Sequence, residues 1–234
     1  SRAIPVPWGV WAVMSVFCLV IVQAACAPTQ VAAIARRVQV QTAKANATSV
    51  AATFSPAAKV KHLLIAVCGS PANTTISTPA GFSVAKNEAG TPSQAIFYKV
   101  AAGGETTVTC TFSGAKQRVG VHIYEYSGTA TTAPLDSVNA AASTGTSTTP
   151  SSGSVTTANA ADLVFAAITT KNSSTFSAWT NTFTEQADFI SNPGTHFGGA
   201  DRYVSATGTY STVATNATSA AWRGQIAAFK LLPI

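Results

Sequence analysis

The chain has 234 residues, of which 47% are hydrophobic and only 9% are Asp, Glu, Lys or Arg, with a formal net charge of +6. An average soluble domain carries roughly 25% charged residues, so the polar surface here must be built from Ser, Thr, Asn and Gln, a texture unusual in cytosolic enzymes and common in surface β-proteins. The positive charge lies wholly in residues 1–61 (Arg2, Arg36, Arg37, Lys44, Lys59, Lys61 and no acid), whereas residues 62–234 balance eight bases against eight acids, so the pI of 9.3 does not argue for nucleic acid as a partner.

From Trp8 to Ala27 run 20 residues in which only Ser15 and Gln23 are clearly polar, which matches the ~20 apolar residues a bilayer-crossing helix needs. Pro5 and Pro7 precede the run and Pro28 follows it, so a helix is expected between them. Trp8 and Trp11 suit a membrane-interface belt, and Val16, Phe17, Leu19 and Ile21 supply the apolar surface. Residues 1–35 are therefore expected to form a hydrophobic anchor helix that meets a lipid bilayer, other subunits, or both. Ala25-Cys26-Ala27 resembles a signal-cleavage site, but Pro28 at the next position hinders cleavage there. Residues 36–47 then read as a basic stem. By the positive-inside rule Arg36, Arg37 and Lys44 favour a cytoplasmic β-domain, while the Ser/Thr-rich composition favours the extracytoplasmic side, which we take as the expectation.

Residues 48–234 show period-2 alternation broken by turn residues. Strands are expected at about 48–54, 62–68, 74–77, 82–86, 94–100, 105–112, 117–126, 154–158, 162–169, 174–178, 182–189, 197–205, 208–213 and 221–231. Many short strands at this spacing predict a mainly β, antiparallel sandwich or jelly-roll. The domain falls into two similar halves, about 48–128 and 154–234. Leu63-Leu64-Ile65-Ala66-Val67 parallels Leu163-Val164-Phe165-Ala166-Ala167, Phe82 parallels Phe183, and Lys99-Val100-Ala101-Ala102 parallels Tyr203-Val204-Ser205-Ala206 at an offset of 104. The two apolar runs are expected to be central strands covered on both faces, with Phe82 and Phe183 packing inward against them. Residues 129–154 read as a long surface loop.

The stretches LLIAV (63–67), TPAGF (78–82), FYKVAAGGET (97–106) and IYEYSG (123–128) resemble a β-sandwich module of uncharacterised bacterial surface and phage proteins. The resemblance covers about residues 48–232, implies a fold, and implies no activity.

Chemistry-bearing residues are sparse. No nucleophile elbow, phosphate loop or metal-ligand spacing occurs, so no catalytic, cofactor-binding or metal-binding residue is assigned and an enzyme is not expected. Cys68 and Cys110 lie on expected strands and form either a disulfide or two buried thiols. His62, His122 and His196 stand alone in sequence. Alternation places His122, Tyr124 and Tyr126 on one face of their strand and Val119, Val121, Ile123 and Glu125 on the other. The His/Tyr face is either an exposed platform for a sugar or a neighbouring subunit, or is buried with its hydroxyls hydrogen-bonded. The function these features imply is a non-enzymatic structural protein, a membrane-anchored sandwich acting as an accessory or scaffold subunit of a membrane or envelope assembly. The alternatives are a pilin-like filament subunit with the helix in the fibre core, and a surface carbohydrate-binding adhesin.

Overall fold

The computed structural model describes residues 35–141, 143–191 and 193–233. The expected anchor, with Trp8, Trp11, Val16, Phe17, Leu19 and Ile21, lies outside the described residues. Among the described residues every regular element is a β-strand, and no helix is long and apolar enough to cross a membrane.

The first half holds β1 (Arg36–Ala47), β2 (Ser49–Thr53), β3 (Leu63–Ser70), β4 (Ile76–Ser77), β5 (Ser83–Glu88), β6 (Ser93–Val100), β7 (Thr107–Phe112) and β8 (Gln117–Ser127). They pair as a five-stranded antiparallel sheet, β1-β8-β3-β6-β5, and a three-stranded one, β2-β7-β4. The second half holds β9 (Leu135–Val138), β10 (Ser143–Ser147), β11 (Ser151–Thr156), β12 (Asp162–Thr170), β13 (Phe176–Trp179), β14 (Thr184–Ser191), β15 (Thr195–Val204), β16 (Thr209–Asn216) and β17 (Ala220–Lys230). Its sheets, β10-β17-β12-β15-β14 and β11-β16-β13, repeat the order of the first half strand for strand, with β9 added beside β17. Each half is thus a sandwich of jelly-roll order, and the duplication is one of whole sandwiches.

Three apolar layers hold this together. Leu64, Ala66, Phe97, Val108, Phe112, Val121 and Ile123 fill the space between the sheets of the first half. Val164, Ala166, Phe183, Ala200 and Ile226 do so in the second, with a small cluster of Ile168, Phe176 and Ala214 at one end. The third layer joins the two five-stranded sheets: Leu63, Ile65, Val67, Tyr124 and Tyr126 meet Leu163, Phe165, Ala167, Ala227 and Phe229. The described residues are therefore four sheets deep, with the large sheets back to back. This is why β3 and β12 are buried along their whole length, as the continuous apolar runs predict. Full burial of each Leu, Ile or Phe there contributes about 1.5–3 kcal/mol. Phe82 packs on the first core and Phe183 lies within the second, as expected.

Three expectations are corrected. Residues 36–47 are no stem: they form β1, a strand paired along β8 from Arg36 opposite Ser127 to Ala47 opposite Gln117. Val40 faces the inter-sandwich layer while Ala43 and Ala45 face the first core, so an edge strand with modest side chains still covers both. Residues 129–154 are no single loop, because β9, β10 and the start of β11 lie there. The parallel between Lys99-Val100 and Tyr203-Val204 is one residue out. Leu63 pairs with Val100 and Leu163 with Tyr203, so Val100 corresponds to Tyr203 and Ala101 to Val204. A one-residue slip exchanges the faces of a strand, and only this register puts Ala101 and Val204 both into the cores of their own halves.

Candidate functional site: the contact between the two sandwiches

The His/Tyr face of β8 is not an exposed platform. His122, Tyr124 and Tyr126 are completely buried against the second sandwich. Alternation within β8 holds as read: Val119, Val121 and Ile123 point into the first core, and Glu125 ends that row. What alternation could not see is the second layer. A β-strand has two faces, and here both are interior.

The polar atoms of that layer are matched across it. The Tyr126 hydroxyl donates to Asp201 Oδ2 at 2.8 Å, and Gln186 Nε2 donates to Asp201 Oδ1 at 2.9 Å. Burial raises the Asp201 carboxyl above its ordinary value, against the opposing pull of those two donors and of the nearby Arg37 charge. Burial, with Asp201 second, also raises both Tyr124 and Tyr126, so neither phenol is an acid at ordinary pH. Tyr124 OH and His122 Nδ1 are 2.6 Å apart, and the far nitrogen of His122 has no partner among the described residues. Burial, reinforced by His196, pulls His122 down to about 3. This imidazole stays neutral and packs edge-on to Tyr124 and Phe189.

At the other end of the contact, amide side chains replace aromatics. Gln94 Nε2 donates to the Ala167 carbonyl at 3.0 Å, and Thr169 Oγ1 donates to Gln94 Oε1 at 2.7 Å. Gln225 Nε2 donates to the Gln94 carbonyl at 2.9 Å. Arg223 reaches across to the Pro92 carbonyl at 2.7 Å and to Glu88 at 3.1 Å. Nothing in the local sequence marks Gln94, Gln225, Arg223 and Asp201 as contact residues. Their one available signal is a polar residue set among apolar neighbours on a strand buried on both faces.

The remaining expected residues fall elsewhere. His62 sits 2.6 Å from Glu125 at the edge of the first core, and His196 bonds Asp188 beneath the Phe176 ring. His122 and His196 are close enough to interact, and His62 lies apart from them. Cys68 and Cys110 form a disulfide that ties β3 to β7, with Cα atoms 5.8 Å apart. Their counterparts in the second half are Ile168 and Ala214, which pack together as plain hydrophobes. No group of three or more His, Cys, Asp or Glu side chains able to hold a metal occurs among the described residues.

Comparison with known protein families, with curated proteins and with solved structures returned no match.

Proposed function

We propose that this chain is a non-enzymatic structural protein. The apolar run at residues 8–27 anchors it in a bilayer, and the tandem sandwich stands on the extracytoplasmic side as an accessory or scaffold subunit of an envelope assembly. The observation that carries the structural part is where the reactive side chains lie. His122, Tyr124, Tyr126, Asp201 and Arg223 are buried and engaged in holding the two sandwiches together. A site for acid–base chemistry needs convergent titratable groups that reach a substrate. The Cys68–Cys110 bridge supports the extracytoplasmic side, because disulfides persist in oxidising compartments. The uncharged run from Trp8 to Ala27 supports the anchor.

Membrane fractionation of the full chain and of Val16→Arg tests this reading. An arginine at the centre of a spanning helix costs ~2.5–3.5 kcal/mol on insertion scales. The wild type should stay with membranes until detergent is added, as a finite particle, and the variant should be released. A wild type recovered without detergent as a small soluble species refutes the anchor. A wild type that sediments without detergent as long polymers would assign it to the filament class instead.

A further inference from the structure

The duplication offers an internal control: a site built in only one half marks where the halves have diverged. Arg202 of β15 corresponds to Lys99 of β6, opposite Val164 and Leu64 respectively. Lys99 is neutralised by Glu105 at 2.8 Å. Arg202 forms no ion pair among the described residues. Its guanidinium donates to the Asn181 carbonyl at 3.0 Å and lies over the Tyr210 ring at 5.2 Å. Asp201 and Tyr203, on either side of it, correspond to Tyr98 and Val100. The second half thus carries an arginine stacked on Tyr210 where the first half carries a closed ion pair.

Two cavities open around Arg202. One, of about 630 Å³, is bounded by Arg36 and Arg37 at the start of β1 and by Tyr203, Gln186 and Asp201 from the second sandwich. The other, of about 360 Å³, is bounded by Tyr210 and neighbouring hydroxyl and amide groups. They share Thr182 and Arg202 in their walls, and the larger one is the groove between β1 and β15. Arg36 and Arg37 also form no ion pair among the described residues. The acid in the groove, Asp201, is 4% exposed with both oxygens accepting hydrogen bonds, so the charge this wall offers to solvent is positive. Tyr203 is 40% exposed. Guanidinium forks match carboxylates bidentately, aromatic faces suit the apolar face of a sugar ring, and hydroxyls and amides suit its hydroxyls. A cavity of about 630 Å³ with a tyrosine in its wall has room for a ligand of sugar size rather than a single small anion.

From this convergence we infer that the groove between β1 and β15 binds an acidic polysaccharide, its uronate carboxylates on the guanidinium groups of the wall, Arg37 foremost, and a ring on Tyr203. This goes beyond the structural role proposed above and does not depend on the anchor.

Affinity electrophoresis of the full chain in neutral detergent, in gels containing polygalacturonate, tests the inference. Polygalacturonate should retard the wild type, and both dextran and fully methyl-esterified polygalacturonate should leave its mobility unchanged. Arg37→Gln should weaken retention about tenfold, the size of one charged hydrogen bond, and Tyr203→Ala, which removes a ring contact, should weaken it as well. Lys116→Gln, on a distant exposed turn, should not. Arg37 is solvent-exposed, so its loss leaves the fold intact even where Tyr203→Ala does not. Absence of retardation overturns the proposal. So does equal weakening by Lys116→Gln, which would mean diffuse charge, or equal retention by the esterified polymer. Binding to phosphatidylglycerol vesicles that Arg37→Gln and Tyr203→Ala abolish, with none to polygalacturonate, would also overturn it and assign the groove to lipid headgroups.

Discussion

Tyr124 of the first sandwich closes directly on Gly199 of the second: a β-carbon built at position 199 would overlap the Tyr124 hydroxyl and lie 3.1 Å from His122 Nδ1. The glycine is there because another strand's side chain occupies the place of its own. Gly199→Ala should therefore push the two large sheets apart locally and cost about 1–3 kcal/mol, the range for overpacking. The clash is with one oxygen atom, so Tyr124→Phe in the same chain should recover part of the loss. Thermal melts of the four members of this double-mutant cycle measure the coupling. Additive losses would mean that position 199 is strained for another reason.

The back-to-back layer also predicts the cost of truncating its centre. Ile65 and Phe165 are fully buried and belong to the same layer though they come from different halves. Ile65→Ala should cost about 2–5 kcal/mol and Phe165→Ala about 3–5 kcal/mol. Each should lower the unfolding midpoint of both sandwiches together, seen as one calorimetric transition shifted downward. Two separated transitions in either variant would show that the halves are energetically independent.

The disulfide spans a sequence separation of 42 residues, and its removal should destabilise by about 2–4 kcal/mol. The second half shows how the same place is filled without a bridge. Cys68→Ile with Cys110→Ala copies Ile168 and Ala214 and should therefore lose less than Cys68→Ala with Cys110→Ala. Urea midpoints of the two double variants under identical conditions decide this. Equal loss would mean the cross-link, and not the packing around it, provides the stability.

Acid should loosen the contact through His122. Its folded value of about 3 lies below the ordinary 6.5, so below pH 6.5 the unfolded chain binds a proton that the folded chain refuses. Stability is fully present above pH 6.5 and is lost progressively as pH falls toward 3, by up to ~1.4 kcal/mol per pH unit. Asp162 works in the opposite direction. Burial raises it to about 6, so its penalty is relieved as pH falls through 6 toward 3.8. His122→Gln introduces the residue that stands at the equivalent place in the second half, Gln225 opposite Ala167 as His122 is opposite Val67. Urea midpoints between pH 7 and 4.5 should fall less steeply for that variant. An unchanged slope would move the acid sensitivity to other groups.

Much of the fold was legible because apolar alternation and turn residues are local. Each of the strands expected between 48 and 231 has its counterpart within a few residues. The strands missed were β1, β9 and β10, and they are one structural strand seen twice: β1 borders β8 as β9 and β10 together border β17. Edge strands bury little, and Arg36-Arg37, Leu135–Val138 and Ser143–Ser147 carry too few large apolar side chains to show a period. The continuous runs LLIAV and LVFAA announced burial on both faces, but not that the second cover is the other half of the same chain. The same gap hid the candidate groove. Arg36 and Arg202 are separated by most of the sequence, and only the stacking of the two large sheets brings them to one cavity.

The strand order has a consequence for how the chain is made. In each sandwich the last strand in sequence lies inside the large sheet: β8 between β1 and β3, and β17 between β10 and β12. A ribosome therefore completes the first sandwich once Ser127 emerges, while the apolar back of its large sheet still awaits Leu163, Phe165 and finally Phe229. Until β17 is synthesised, that surface has no native cover and the second sandwich cannot close. Chains ending prematurely anywhere between 128 and 229 should present an aggregation-prone sheet face, and β17 decides whether the apolar back of everything before it is covered.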